Sequence, residues 1–128
     1  MILCDTDIFI EALKNNPHTV SLLRKIGTDN IGLSSISVME LYFGAIDKKE
    51  LKKIKSRLQL INILHVNQEI SQKALQLIEQ YSKSHSLRIP DALIAATSIY
   101  YQTTLLTNNQ KDFRFIENIR LYRQAQQS

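Results

Sequence analysis

The chain has one cysteine, two prolines and three glycines in 128 residues, and each scarcity removes a class of protein. Cys4 has no partner for an internal disulfide and sits in an apolar opening run, so it reads as a small buried hydrophobe. Three widely spaced glycines cannot build a phosphate-cradling loop, and no Ser or Cys stands in a nucleophile elbow. His18, His65 and His85 have no partners at metal-ligand spacing, which argues against a zinc centre. No apolar run approaches the roughly 18 residues of a bilayer span. The first residues carry acids at 5 and 7 instead of the basic start of a signal peptide, so a cytoplasmic, membrane-free location is expected. Without a Gly-, Ser- or Pro-rich linker or an internal repeat, residues 1–128 are expected to form a single domain, with 123–128 a frayed tail.

What is present is globular: 44% hydrophobic and 22% charged residues, with a formal net charge of +4. That surplus suits a polyanionic partner and equally suits plain solubility. The opening Met1-Ile-Leu-Cys4 has the uncharged character of a strand buried on both faces, and Asp5-Thr6-Asp7 follow at its carboxyl end. Helical spacing then marks Ile8 to Lys14, a helix from Pro17 with Asn16 as cap and Gly27 as stop, and helices opening at Ser37 and Lys48. Asn67 to Lys83 is the clearest amphipathic helix, and Pro90 opens one that is apolar nearly all round. Short strands are expected at 30–34, 63–66 and 104–107, with 120–122 as an edge strand, and a helical turn at 109–116. Alternating strands and helices predict a parallel sheet covered on both faces. If strands two and three lie to one side of strand one, strand four falls on the other side. The carboxyl ends of strands one and four then flank a switch-point crevice, where ligands bind in open α/β sheets.

Five acids stand near such ends, and each has a local explanation. Ser37-x-x-Glu40 fits a capping box, Asp91 suits the first turn of a helix, and Asp112 follows Asn109 at a capping-like spacing. Asp5 or Asp7 would cap the first helix, and Asp7 is assigned that role. Together the acids say more. Asp5, Glu40, Asp91 and Asp112 brought to one crevice would repel unless a cation joined them, and oxygen-only ligands favour Mg²⁺ or Mn²⁺. Such an ion suits phosphodiester hydrolysis.

The segments Ile2-Leu-Cys-Asp5-Thr6-Asp7, Ser37-Val-Met-Glu40-Leu, Pro90-Asp91-Ala-Leu-Ile-Ala-Ala96 and Leu106-Thr107-Asn108-Asn-Gln-Lys-Asp112-Phe113 resemble the PIN-domain ribonucleases, above all the VapC-type toxins of bacterial toxin–antitoxin pairs. The resemblance spans almost the whole chain. It implies a three-layer α/β/α sandwich around a short parallel sheet, and an endoribonuclease dependent on Mg²⁺ or Mn²⁺. Asp5, Glu40, Asp91 and Asp112 would bind the metal and activate water, while Thr6, Thr107 and Asn108 would support them through hydrogen bonds. Asp7 departs from the family, which often has Asn or Ser there; as a supporting residue an extra acid would either tighten metal binding or simply cap the helix, and the cap is favoured. The likeness further implies an acidic or Arg-bearing VapB-like antitoxin and a homodimer. Lys14, Arg88, Lys111 and Arg114 lie nearest these motifs along the chain and are the candidates for steering RNA. The lysine-rich helix from Lys48 reads as a phosphate-contacting or simply solvated face. Two other readings compete. Asp5-x-Asp7 also resembles the haloacid-dehalogenase phosphatases, with Asp5 as nucleophile, although Ile8-Phe9 replaces the usual Gly-Thr. The other is a non-catalytic PIN-like module that binds RNA or protein.

Overall fold

In the computed structural model, which describes residues 1–123, four short strands form one parallel sheet of order β3-β2-β1-β4. These are β1 (Ile2–Cys4), β2 (Ile31–Ser34), β3 (Asn62–Leu64) and β4 (Thr104–Leu106). In register, Cys4 pairs with Leu33 on one side and Leu106 on the other. The chain therefore crosses back over β1 to place β4, and the expected switch point falls between β1 and β4.

Both faces of the sheet are buried, and period-two alternation divides its side chains between two cores. Leu3 and Leu105 join Ile70, Leu77, Ala92 and Phe113 in one cluster, while Cys4, Leu33 and Leu106 join Ile8, Phe9, Leu41 and Ile54 in the other. The first core lies beneath α5 (Gln68–His85) and α6 (Ile89–Tyr100). The second lies beneath α1 (Thr6–Leu13), α2 (Pro17–Ile26) and α4 (Lys48–Leu58). Helix α3 (Ser35–Gly44) touches both α1 and α6. The result is the three-layer α/β/α sandwich expected.

Local chemistry sets most boundaries. Asn16 caps α2 through its side chain with Pro17 at the first position, and Gly27 ends the helix at φ 92°, where a side chain would be strained. Gly32 does not interrupt β2. A Cβ there would meet the Met1 sulfur at 2.8 Å, so its bareness leaves room for the flexible end of the Met1 side chain.

Three expectations need correction. Helix α3 starts two residues before Ser37, because Ser34 supplies the cap by accepting from the Ile36 amide. Residues 120–122 form a single parallel bridge, Leu105 with Leu121, and not a strand. The turn at 109–116 is helical only as a 3-10 turn over Gln110–Asp112. Of the tail, Arg123 is exposed, and 124–128 lie outside the described residues.

Candidate active site

The site is built at the carboxyl end of β1, where the backbone amide of Asp5 donates to the Leu106 carbonyl (2.8 Å) and ties β1 to β4. Asp5 stands at the N-cap position of α1 and is 6% exposed. One carboxylate oxygen accepts from the Thr6 amide and the other from the Thr107 hydroxyl, both at 2.8 Å. The Thr107 oxygen in turn accepts from the Asn109 amide (3.0 Å). Thr6 faces the opposite way. Its hydroxyl lies 2.7 Å from Glu40 Oε1 and 2.8 Å from Ser37 Oγ. A carboxylate only accepts, so Thr6's single proton serves Glu40, and the fully buried Ser37 hydroxyl completes the chain.

This geometry replaces the capping box at Ser37-x-x-Glu40. Both residues lie inside α3, one turn apart, and Ser37 and Glu40 both turn toward Thr6. Asp7 is not the cap either. It occupies the second position of α1, and its Oδ2 accepts from the Asn108 amide (3.0 Å) and the Asn109 side chain (3.2 Å). Asn109 thus holds Asp7 and makes no side-chain cap for the turn carrying Asp112. Asp7 is committed to the loop after β4, which removes it from the acid/base role that a phosphatase of the haloacid-dehalogenase type would require.

A residue absent from the sequence reading completes this bracket. Glu11, one turn beyond Asp7, accepts from Asn108 Nδ2 (2.9 Å) with one oxygen and from the buried Thr19 hydroxyl (2.6 Å) with the other. The only available signal was its place on the helical face shared with Asp7.

Asp91 enters from the first turn of α6, beside Pro90, and Asp112 from the end of the 3-10 turn. Among the described residues neither side chain accepts a hydrogen bond. Burial raises the Asp91 carboxyl to about 6, and the charges of Asp5, Asp112 and Glu40 push the same way against the lowering effect of Arg88. Burial likewise raises Asp7 to about 6, with Asp5's charge adding to it, and lifts Asp5 despite its hydrogen bonds. Burial and the same two aspartates push the Cys4 thiol up to about 12, so it stays protonated and inert. All four expected acids, together with Asp7, therefore share one electrostatic field.

The donor set fits a hard divalent cation: its oxygens are carboxylate, its charges repel, and among the described residues the buried Asp7 Oδ1 has no hydrogen-bond partner. Among the described residues no three ligating side chains close into a ready-made cage. Of the expected RNA-contacting residues, Arg88 acts on Asp91, and exposed Lys111 and Arg114 flank Asp112. Exposed Lys14 instead lines a groove of about 590 Å³ between α1, α3 and α4, with Ile10, Leu13, Ile46 and Lys53. Glu40 opens onto both the groove and the acids.

A parallel α/β/α domain with an acid-lined crevice at its switch point is the class that fold and site define. The PIN-domain model matches residues 2–118, and the chain belongs to that family. Over 124 residues it is 30% identical to Ribonuclease VapC2 of Rickettsia felis, covering 90% of this chain and 91% of that one. It is 29% identical to Ribonuclease VapC19 of Mycobacterium tuberculosis over 116 residues, 88% and 92% of the two chains. Among solved structures it superposes on VapBC2 from Rickettsia felis bound to a promoter DNA fragment with a TM-score of 0.78. Identity there is 28%, over 95% of this chain and 98% of that one. Among the described residues no helix is long and apolar enough to cross a membrane.

Proposed function

We propose that the chain acts as one domain, a divalent-metal-dependent endoribonuclease of the VapC type and the toxin of a toxin–antitoxin pair. The observation that carries this reading is the shared field of Asp5, Glu40, Asp91 and Asp112 at the β1–β4 switch point, which leaves buried carboxyls above their ordinary range. The VapC ribonucleases it is similar to support RNA as the substrate.

Asp5, Glu40, Asp91 and Asp112 would hold Mg²⁺ or Mn²⁺. Bound there, the ion supplies Lewis acidity toward a phosphoryl oxygen and a lowered pKa for water. The chain supplies orientation. Thr107 and the Thr6 amide hold both oxygens of Asp5, Thr6 and Ser37 aim Glu40, and the Glu11–Asn108 bond fixes the loop that carries Thr107. Asp91, whose carboxylate accepts no hydrogen bond among the described residues, would orient the attacking water and take its proton. Arg88, Lys111 and Arg114 offset the anionic strand that must approach this acidic crevice.

The partner reading follows from the VapBC complexes it is similar to. A VapB-like antitoxin would seat an apolar segment in the groove of Ile10, Leu13 and Ile46, which reaches Glu40 and so lies against the crevice. Cleavage of single-stranded RNA by the purified protein tests the reading. Activity is expected with Mg²⁺ or Mn²⁺, to vanish with EDTA and to return when metal is restored. EDTA-resistant cleavage would refute the metal role, and no cleavage with either ion would refute the nuclease.

A further inference from the structure

Three aromatic rings form a stack whose inner two, Tyr81 and Phe115, belong to the core beneath α5 and α6, whereas the outer one, His85, has no part in that core or in the proposed chemistry. Tyr81 is buried, Phe115 half-buried and His85 exposed. The imidazole lies on Phe115 with centroids 4.3 Å apart and planes 12° from parallel, while Tyr81 meets Phe115 edge-on at 5.1 Å and His85 edge-on at 5.7 Å. His85 is thus the outermost ring, and the Ser84 hydroxyl, 2.8 Å from its Nδ1, fixes its rotation.

The stack stands at the crevice end of the molecule. Helices α5 and α6 pack on one another, and only residues 86–88 join them, so the last residue of α5 lies beside the first turn of α6, which carries Asp91. Phe115 follows Asp112 by three residues. Tyr81 ties both segments together: its carbonyl accepts from the Leu87 amide (3.4 Å) and its hydroxyl from the Glu117 amide (3.3 Å). Three exposed cations, Arg88, Lys111 and Arg114, lie on these two segments, with exposed Glu117 as the nearby acid outside the crevice.

We infer that the His85–Phe115 stack is a nucleobase platform, receiving one base of a single-stranded RNA whose backbone runs past Arg88 and Arg114 toward the acids. A flat exposed ring backed by a second ring presents the π-face on which unpaired bases stack, and flanking cations hold the phosphates. Stacking of this kind selects a single strand over a duplex, because paired bases keep their faces covered.

The inference rests on RNA as substrate, and a binding experiment separates the two. In an Asp91→Asn background, where cleavage is expected to fall at least a hundredfold, a fluorescein-labelled single-stranded oligoribonucleotide is titrated and followed by anisotropy. His85→Ala is expected to weaken binding about tenfold, the loss of one base stack, whereas His85→Phe keeps it. An abasic nucleotide at one position should weaken binding to the parent by the same factor and have no effect on the His85→Ala protein. Equal affinity of parent and His85→Ala, or a loss in His85→Phe as large as in His85→Ala, would overturn the platform while leaving the nuclease reading standing. Binding that depends on His85 in a protein that never cleaves RNA would keep the platform and sink the nuclease. Absence of RNA binding by the parent would overturn both.

Discussion

The acids of the crevice fall into two halves that are held very differently. Asp5, Asp7 and Glu40 come from the segment that leaves β1 and from α3, and each accepts hydrogen bonds from hydroxyls or amides of other segments. Asp91 and Asp112 come from α6 and the 3-10 turn, and among the described residues their carboxylates accept none. The first half resembles a fixed jaw, its oxygens already aimed. The second keeps its lone pairs open, so its carboxylates are the ones with ligand capacity to spare. Preorganisation and vacancy are thus divided between the two sides of the sheet's switch point.

The sharpest way to break that comparison is to remove charge from the open half. Asp91→Asn is expected to lower RNA cleavage at least a hundredfold while far-UV circular dichroism stays unchanged, because among the described residues no hydrogen bond depends on that carboxylate. Near-normal cleavage would remove Asp91 from the site. Loosening the fixed half should cost less. Thr107→Val deletes the donor to Asp5 and leaves the proposed ligand in place, so kcat is expected to fall about 10- to 100-fold, the range for a partner that orients a metal ligand. Raising the Mg²⁺ concentration should recover part of that loss. Glu11→Leu acts one step further out, by freeing Asn108 and leaving the buried Thr19 hydroxyl without its acceptor. It is expected to lower kcat about tenfold and to cost about 1–3 kcal/mol of stability, read from urea denaturation. Glu11→Gln, whose amide oxygen still accepts from Asn108 Nδ2 while its NH2 donates to the Thr19 hydroxyl, should recover most of both.

How much of this was legible beforehand divides along the same line. The strand ends and the crossing between β1 and β4 follow from apolar runs meeting carboxylates and from the order of strands and helices, whereas Asp5, Glu40, Asp91 and Asp112 stand out as a set through the resemblance of their four segments to the PIN family. Positions of side chains inside helices were harder. Ser37-x-x-Glu40 has the letters of a capping box, but Ser34 and Ser35 precede it, and the cap went to the serine that ends β2. Asp7 looked like a cap because caps are a short-range pattern, whereas its partners lie 101 and 102 residues away. Glu11 and the His85–Phe115 pair are invisible for the same reason: each depends on a loop that only the closed sheet brings near. Periodicity reports which face a residue shares, and it carries no information on the partner across a tertiary contact.

The smallest expected effect concerns stability without metal. Asp7 and Asp91 titrate near 6 in the folded chain, above their ordinary carboxyl range, so between about pH 4 and pH 6 the native state binds more protons than the unfolded one. The slope of unfolding free energy with pH is then negative in that window. Stability from these groups is greatest below it and falls as pH rises through 6. Asp91→Asn cannot ionise and removes its share of the repulsion, so the metal-free variant should unfold at a higher Tm than the parent at pH 7 and at nearly the same Tm near pH 4. Asp91 is partly open to solvent, which limits the gain to on the order of 1 kcal/mol, or a few degrees. Saturating Mg²⁺ should reverse the ranking, because only the parent keeps the full set of carboxylates for the ion. Thermal scans of both proteins at pH 4 and 7, with and without Mg²⁺, check this. A variant less stable than the parent in metal-free buffer at pH 7 would mean that Asp91 is held by the fold, and the division into a fixed and an open half would fail.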